Sequence, residues 1–386
     1  MMNDNDNQSK NQKTDSLLDE VLREQQAERK GQIQPQELIA GLFAVLSKQE
    51  VEILKRRYAL YEAEEIKKQT LEAIGKFYKV TRERIRQIES RAIKKIKQDG
   101  KFKDLVSPFE AVVFDTLEFH GGIMQEDFLV NKLLEISEDE SVSNFGKQAL
   151  LFIISKLLDK NLEKVRADEY FMPGWKLKIA DVELFRKILD ELHSFIENQG
   201  KPTLAENLVA GFKDYSHDKD YEATDKIILS ALEASAKTKR NSFGEWGLID
   251  WRTIVPKRMS DKIYLVLEKT GKPLHFNEIA EAINKQGFDS KTANPATVHN
   301  ELIMGDKYIL VGRGVYALKN WGYIPGIVPD VIVGIIKKKG PLAREEIIDE
   351  VLKQRMVKPG TVLLALSDKS KFKRLDDGRY NVVDLE

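Results

Sequence analysis

Cysteine is absent from the 386 residues, which removes disulfide frameworks and thiolate metal sites and suits a reducing compartment. No apolar run approaches the roughly 18 residues that a membrane-spanning helix requires. The opening stretch, Met1 to Lys13, is polar and lacks the charged-then-apolar order of an export signal, so a cytoplasmic location is expected. Net charge is missing as well: 62 Lys and Arg balance 62 Asp and Glu, so any hold on a polyanion must come from a local patch. The five histidines, His120, His193, His217, His275 and His299, are too scattered for a zinc site, and no Gly-x-x-x-x-Gly-Lys loop occurs. The sequence therefore assigns no catalytic residue, no metal and no cofactor, and a nucleic-acid enzyme is the least favoured class.

With 42% hydrophobic and 32% charged residues, the chain can bury several cores. Residues 1–34 are rich in Asn, Gln, Asp and Lys, with one apolar patch at Leu17, Leu18, Val21 and Leu22, and read as a disordered tail with one transient helix. From Gln36 to Lys97, Leu38, Ile39, Leu42, Leu46, Val51, Leu54 and Tyr58 recur at helical steps with little glycine or proline between them, which predicts an all-helical module over 35–99.

The stretch Thr70 to Lys97 carries the chemistry. Thr70 is placed to cap a short helix with Glu72 in its first turn, Leu71 and Ile74 facing inward, and Gly75 leaving room for a crossing helix. The turn Tyr78-Lys79-Val80 is expected to bury Val80. Thr81 then caps a second helix whose stripe Ile85, Ile88, Ala92 and Ile96 faces the core. The opposite face presents Arg82, Glu83, Arg86 and Gln87 in the first turns, where a recognition helix meets base edges. Arg suits guanine, Glu the cytosine amino group and Gln adenine. Thr81, Arg84, Arg91, Lys94 and Lys95, with Lys97 beyond them, suit phosphates. Nine Lys and Arg against three Glu between Thr70 and Lys97 give a local charge of +6. A charge-rich helix can also be simply solvated, and spacing alone does not separate the two readings.

The run Val80-Thr81-Arg82-Glu83-Arg84-Ile85-Arg86-Gln87-Ile88-Glu89 resembles the signature of region 4 in the housekeeping class of sigma factors. The likeness continues upstream through Leu46-Ser47-Lys48-Gln49-Glu50 to Arg57-Tyr58 and covers residues 37–97. It implies a helix-turn-helix that reads −35-type promoter DNA with Arg82, Glu83, Arg86 and Gln87 and that meets core RNA polymerase. Ala73 departs from the acidic or amide residue usual there, and Tyr61 to Lys68 lacks the usual glycine turn. Nothing resembles region 2, so a self-sufficient sigma factor is not expected.

Beyond Gly100 the chain repeats. Pro273-Leu274, Asn277-Glu278-Ile279 and Ile283 recur 68 residues later at Pro341-Leu342, Glu345-Glu346-Ile347 and Val351, and Gly314-Val315-Tyr316 recurs 64 residues later at Gly378-Arg379-Tyr380. Each copy reads as helix, short strand, helix, helix and a hairpin around a glycine, the order of a winged helix. Weaker echoes at Gly121-Gly122-Ile123 and Gly200-Lys201-Pro202 extend the series to four, over 104–178, 181–254, 257–323 and 326–386. Residues 257–320 are similar to the HARE-HTH winged helix found in the delta subunit of bacterial RNA polymerase, and Trp246-Gly247-Leu248-Ile249-Asp250-Trp251 is similar to the end of that domain. Trp246, Trp251 and Trp321 are expected to pack under the wings.

The expected fold is mainly α with small β wings (α+β), a helix-turn-helix followed by tandem winged helices. The expected function is sequence-specific binding of double-stranded promoter DNA together with a polymerase contact, at the bacterial nucleoid. The alternative is a polymerase-independent regulator or architectural protein. Acidic runs such as Glu138-Asp139-Glu140 would repel DNA, so only the first helix-turn-helix is expected to read it. Target promoters, the sign of regulation and the oligomeric state are left open.

Overall fold

The computed structural model describes residues 34–62, 67–137, 144–217 and 219–383. The tail reading for 1–34, the acidic run at 138–140 and the centre of the Tyr61–Lys68 linker lie almost wholly outside the described residues. The fold is α+β, and the chain divides into two compact units, 1–239 and 240–386.

The first unit opens with four helices, α1 (Pro35–Phe43), α2 (Lys48–Tyr58), α3 (Leu71–Tyr78) and α4 (Arg82–Gln98). Their boundaries are written in side chains. Proline stands at the start of α1, and Ser47 and Glu50 form a capping box at α2. Thr70 and Thr81 accept from the backbone N–H groups of Ala73 and Arg84 at the starts of α3 and α4. Two non-glycine residues in the left-handed region, Ala59 and Lys79, end α2 and α3.

Next come α5 (Phe102–Phe119), β1 (Ile123–Gln125), α6 (Glu126–Ile136), α7 (Asn144–Leu157), β2 (Leu162–Val165) and β3 (Gly174–Leu177). The strands form an antiparallel sheet in the order β1-β3-β2, with Ile123 opposite Lys176 and Leu162 opposite Leu177. The third helix of this winged order, α7, is not displayed: Phe145, Gly146, Ala149, Leu150, Phe152, Ile153, Ile154 and Leu157 are buried. All of these but Gly146 share one core with Ile39, Leu42, Phe43 and Leu54 from α1 and α2 and with Ala92 and Ile96 from α4. Phe152 meets Phe43 edge-on at 5.9 Å and Tyr58 at 4.8 Å between ring centres. The helix-turn-helix is thus fused to the first winged repeat.

The pattern recurs one repeat later, with α8 (Val182–Gln199), β4 (Thr203–Leu204), α9 (Ala205–Ser216) and α10 (Asp225–Ala234), after which β5 (Thr238–Arg240) and β6 (Glu245–Leu248) follow along the chain. The third helix, α10, leans on the preceding sheet: buried Ser230 donates to the Ile123 carbonyl at 2.6 Å. The N–H of Met172 donates to the Ala234 carbonyl at 2.7 Å, and that of Ala236 to Tyr170 at 2.8 Å.

In the second unit, α11 (Met259–Thr270), β7 (Leu274–His275), α12 (Phe276–Gln286), α13 (Pro295–Met304), β8 (Tyr308–Gly312) and β9 (Val315–Leu318) follow the winged order with strand sequence β7-β9-β8. Gly314, at φ +70°, turns the hairpin, and an added Cβ there would fall 2.6 Å from His275 Nε2. The last copy has α14 (Val328–Lys339), α15 (Arg344–Gln354), α16 (Pro359–Leu366), β10 (Phe372–Arg374) and β11 (Tyr380–Val382). Here the short strand shrinks to a bridge between Leu342 and Tyr380. The two copies are stitched together where the Met356 N–H donates to the Val311 carbonyl at 2.8 Å. Buried Arg355 caps the Ile324 and Gly326 carbonyls. Trp246 is buried, and Trp251 and Trp321 are half-buried.

Candidate nucleic-acid interface

The turn between α3 and α4 is tight. The Val80 N–H donates to the Gly75 carbonyl at 2.9 Å, and Lys79 supplies a φ of +54°. A Cβ on Gly75 would sit 2.7 Å from the Val80 carbonyl oxygen, so glycine is required for the two helices to cross this closely. Ile53, Ile74 and Ile85 form the small core under the turn, with Leu71 and Ile88 packed against it. Val80 is not part of it: its side chain is 40% exposed, against expectation. The crossing is fixed by close backbone contact rather than by a buried Val80.

With the Ile85, Ala92 and Ile96 stripe buried, Arg82, Glu83, Arg86 and Gln87 all emerge on the exposed side of α4. They are not independent. Glu83 receives a two-pronged hold from Arg86, Nη2 to Oε1 at 2.7 Å and Nε to Oε2 at 2.9 Å, and Gln87 Nε2 lies 3.5 Å from the same carboxylate. Arg86's hydrogen bond keeps the Glu83 carboxyl below its usual range. The geometry holds the guanidinium in one orientation on the surface. Arg84, Arg91 and Lys94 are exposed, and none pairs with a carboxylate among the described residues. Thr81 is exposed but already accepts the α4 capping bond.

Lys95 is placed differently. Its ammonium lies 2.6 Å from Oε1 of Glu50, a residue only 8% exposed, so it fastens α4 to α2. Burial alone would raise the Glu50 carboxyl, and the hydrogen bonds from Lys95 and Ser47 overcome it, leaving Glu50 below its usual 4.5. A depressed carboxylate contributes stability above its unfolded value and loses it as pH falls through the folded one. Glu50→Gln should therefore destabilise the first unit at neutral pH, and the cost should fade as pH falls from 4.5 through the lowered Glu50 value. Urea midpoints across that range check this; a midpoint loss that ignores pH would assign Glu50 to packing alone.

Two further fasteners escaped the sequence reading. The Tyr58 hydroxyl donates to Glu89 at 2.5 Å, with the Arg57 guanidinium 3.7 Å from the same carboxylate. Burial, then the Glu89 carboxylate, push the Tyr58 hydroxyl far above its usual value. Lys97 pairs with Asp159 at 2.6 Å. Tyr58 and Glu89 both lie in the quoted motif runs, but their pairing depends on how α2 crosses α4, which no spacing encodes.

The other third helices offer no comparable face among the described residues. α7 and α10 are turned inward. α13 has Glu301 as its one ionised side chain and displays Ile303 (63% exposed) and Met304 (84%). α16 carries no charge and displays Leu364 (74%). Such surfaces lack phosphate partners and suit protein contacts.

Residues 42–98 match the family "Sigma-70, region 4", and residues 259–321 match the HARE-HTH family, the helix-turn-helix domain of ASXL and restriction endonuclease proteins. The chain is 40% identical over 63 residues to RNA polymerase sigma factor SigA1 of Synechococcus elongatus, covering 16% of this chain and 15% of that protein. It is 36% identical over 91 residues to RNA polymerase sigma factor SigA of Lactococcus lactis subsp. cremoris, covering 24% of each. The chain thus spans a quarter or less of the length of these relatives, and it joins a sigma-70 region 4 helix-turn-helix to a HARE-HTH domain.

Proposed function

We propose that this is a DNA-binding transcription protein that reads −35-type promoter DNA through α4 and engages core RNA polymerase. The observation that carries the reading is one helix with Ile85, Ala92 and Ile96 buried and an opposite face where Arg84, Arg91 and Lys94 pair with no carboxylate among the described residues, around a Glu83–Arg86 fork. Arg82, Glu83, Arg86 and Gln87 contact base edges. Arg84, Arg91 and Lys94 contact phosphates, Thr81 adds a backbone contact from the cap, and Lys95 joins them only by leaving Glu50. The relatives matched over this segment carry the name of RNA polymerase sigma factors, which supports the promoter and polymerase partners. The domain division is 35–99 for the reading head, then winged helices at 104–178, 181–254, 257–323 and 326–386. The first two of these support the head, and the last two meet protein. The proposed location is the bacterial cytoplasm, at the nucleoid.

Fluorescence anisotropy with a selected site and a scrambled duplex tests the assignment of the face. Arg86→Ala should cost about 1–3 kcal/mol on the selected site and little on the scrambled one, whereas Lys94→Ala should weaken both about equally. Equal losses from both substitutions on both duplexes would remove Arg86 from the reading set. Recovery of core polymerase with the tagged protein from nuclease-treated lysate tests the second half. If polymerase is lost on digestion, the protein is a DNA-binding regulator that works without it.

A further inference from the structure

A cavity of about 170 Å³ opens in the first unit between α2, α7, β2 and the residues leading into α3. That volume is several times the roughly 30 Å³ share of a water molecule. Three cations line it, Arg57, Lys68 and Lys164, against one carboxylate, Glu126. Glu126 is already shared: Oε2 accepts from Trp175 Nε1 at 3.2 Å and from Lys164 at 3.3 Å. Lys68 has no ion pair among the described residues. Burial pushes its ammonium below the usual value, and Lys164, Arg57 and Lys147 push the same way against the opposing pull of Glu126. Arg57 spends one Nη on the Gln69 carbonyl at 3.0 Å, and its Nε, 3.7 Å from Glu89 Oε1, makes no hydrogen bond, which leaves its second Nη for the cavity. Gln148 donates through Nε2 to Asn144 Oδ1 at 3.4 Å, and its shielded Oε1 accepts no hydrogen bond among the described residues. The Ser155 hydroxyl, held only by a 3.4 Å contact to the Phe152 carbonyl, completes a wall of donors.

Three cations crowded around one small cavity, with Lys68 lacking an ion pair among the described residues, suit a multivalent oxyanion. We propose that this cavity binds a phosphate group, with Arg57, Lys68 and Lys164 as its cationic ligands and Ser155 as a neutral donor. A tetrahedral anion satisfies donors converging from three elements at once, which a halide cannot. The walls come from both α2 of the helix-turn-helix and α7 and β2 behind it, so the bound group ties the reading head to its support. The site uses none of the residues assigned to base reading.

Calorimetric titration of the full chain with inorganic phosphate, at constant ionic strength set by chloride, tests the site. Saturable binding that weakens at least about tenfold in Lys68→Ala and in Lys164→Ala, with unchanged melting temperatures, identifies a free phosphate or phosphorylated small molecule as the source. If free phosphate gives no saturable heat but both variants weaken every DNA duplex alike, each reducing the salt slope by about one contact, the group is a phosphate of the DNA backbone. Absence of both effects overturns the proposal. Arg86→Ala in the same DNA assay keeps the two readings apart, because its result bears on α4 and leaves the phosphate titration untouched.

Discussion

Phe152→Ala is expected to lower the unfolding free energy of the first unit by about 3–5 kcal/mol. The ring is 1% exposed and stands where α7 meets α1 and α2, against Phe43 and Tyr58. Truncation removes the buried apolar surface and leaves a cavity that three crossing helices cannot close. Tyr58 also holds Glu89 of α4, so loosening this seam loosens the seat of the reading helix. DNA affinity should fall along with stability even though Phe152 lies in no DNA-facing position. Urea unfolding followed by circular dichroism measures the loss, and Phe152→Leu, which keeps most of the volume, should cost much less. A loss below about 1 kcal/mol would mean that the helix-turn-helix and the adjoining repeat do not share a core.

Acid is expected to remove about 3 kcal/mol from the same unit through a single imidazole. His120 is buried at the end of α5, with Nδ1 2.7 Å from the Thr116 carbonyl and Phe128 edge-on at 5.6 Å. Burial, aided by Lys226 and Lys132 and opposed by the Thr116 bond, brings the imidazole down to about 4 from its usual 6.5. Between those values the unfolded chain binds a proton that the folded chain refuses, so stability rises with pH across that window. Descending through it, the penalty accumulates from about pH 6.5 and is complete near pH 4. In His120→Leu the stability difference between about pH 7.5 and about pH 4 should shrink by that amount. An unchanged difference would mean that His120 is protonated in the folded protein. The Glu50–Lys95 pair acts lower on the scale, so the two contributions separate by titration.

Much of the reading head is legible in its residues because its determinants are local. Ser47, Thr70 and Thr81 announce helix starts three residues ahead of the N–H groups they satisfy, and the Ile85 to Ile96 stripe fixes which face of α4 is seated. The repeat of Pro273-Leu274 at Pro341-Leu342 likewise marks equivalent places in two successive folds. Relations between elements are where the reading stops. Val80 looked like a core residue by type, yet at the turn, where its N–H bonds the Gly75 carbonyl, it is 40% exposed. Lys95 reads as one cation among several until α2 brings Glu50 beside it. The inward turn of α7 and α10 depends on what each repeat stacks against, and the apolar pattern of Phe145 to Leu157 is equally compatible with a helix buried by its own module.

That inward turn has a bearing on the shape of the DNA site. Proteins that read DNA as symmetric dimers use two equivalent helices about one helical turn apart and select inverted repeats. Among the described residues of this chain one helix carries a cationic reading face, and nothing in the same molecule mirrors it. A single copy that reads DNA as proposed would therefore select a short sequence without a dyad, and inverting that sequence would invert the reading helix. Such a site would act as an arrow, setting which way along the duplex α4 runs.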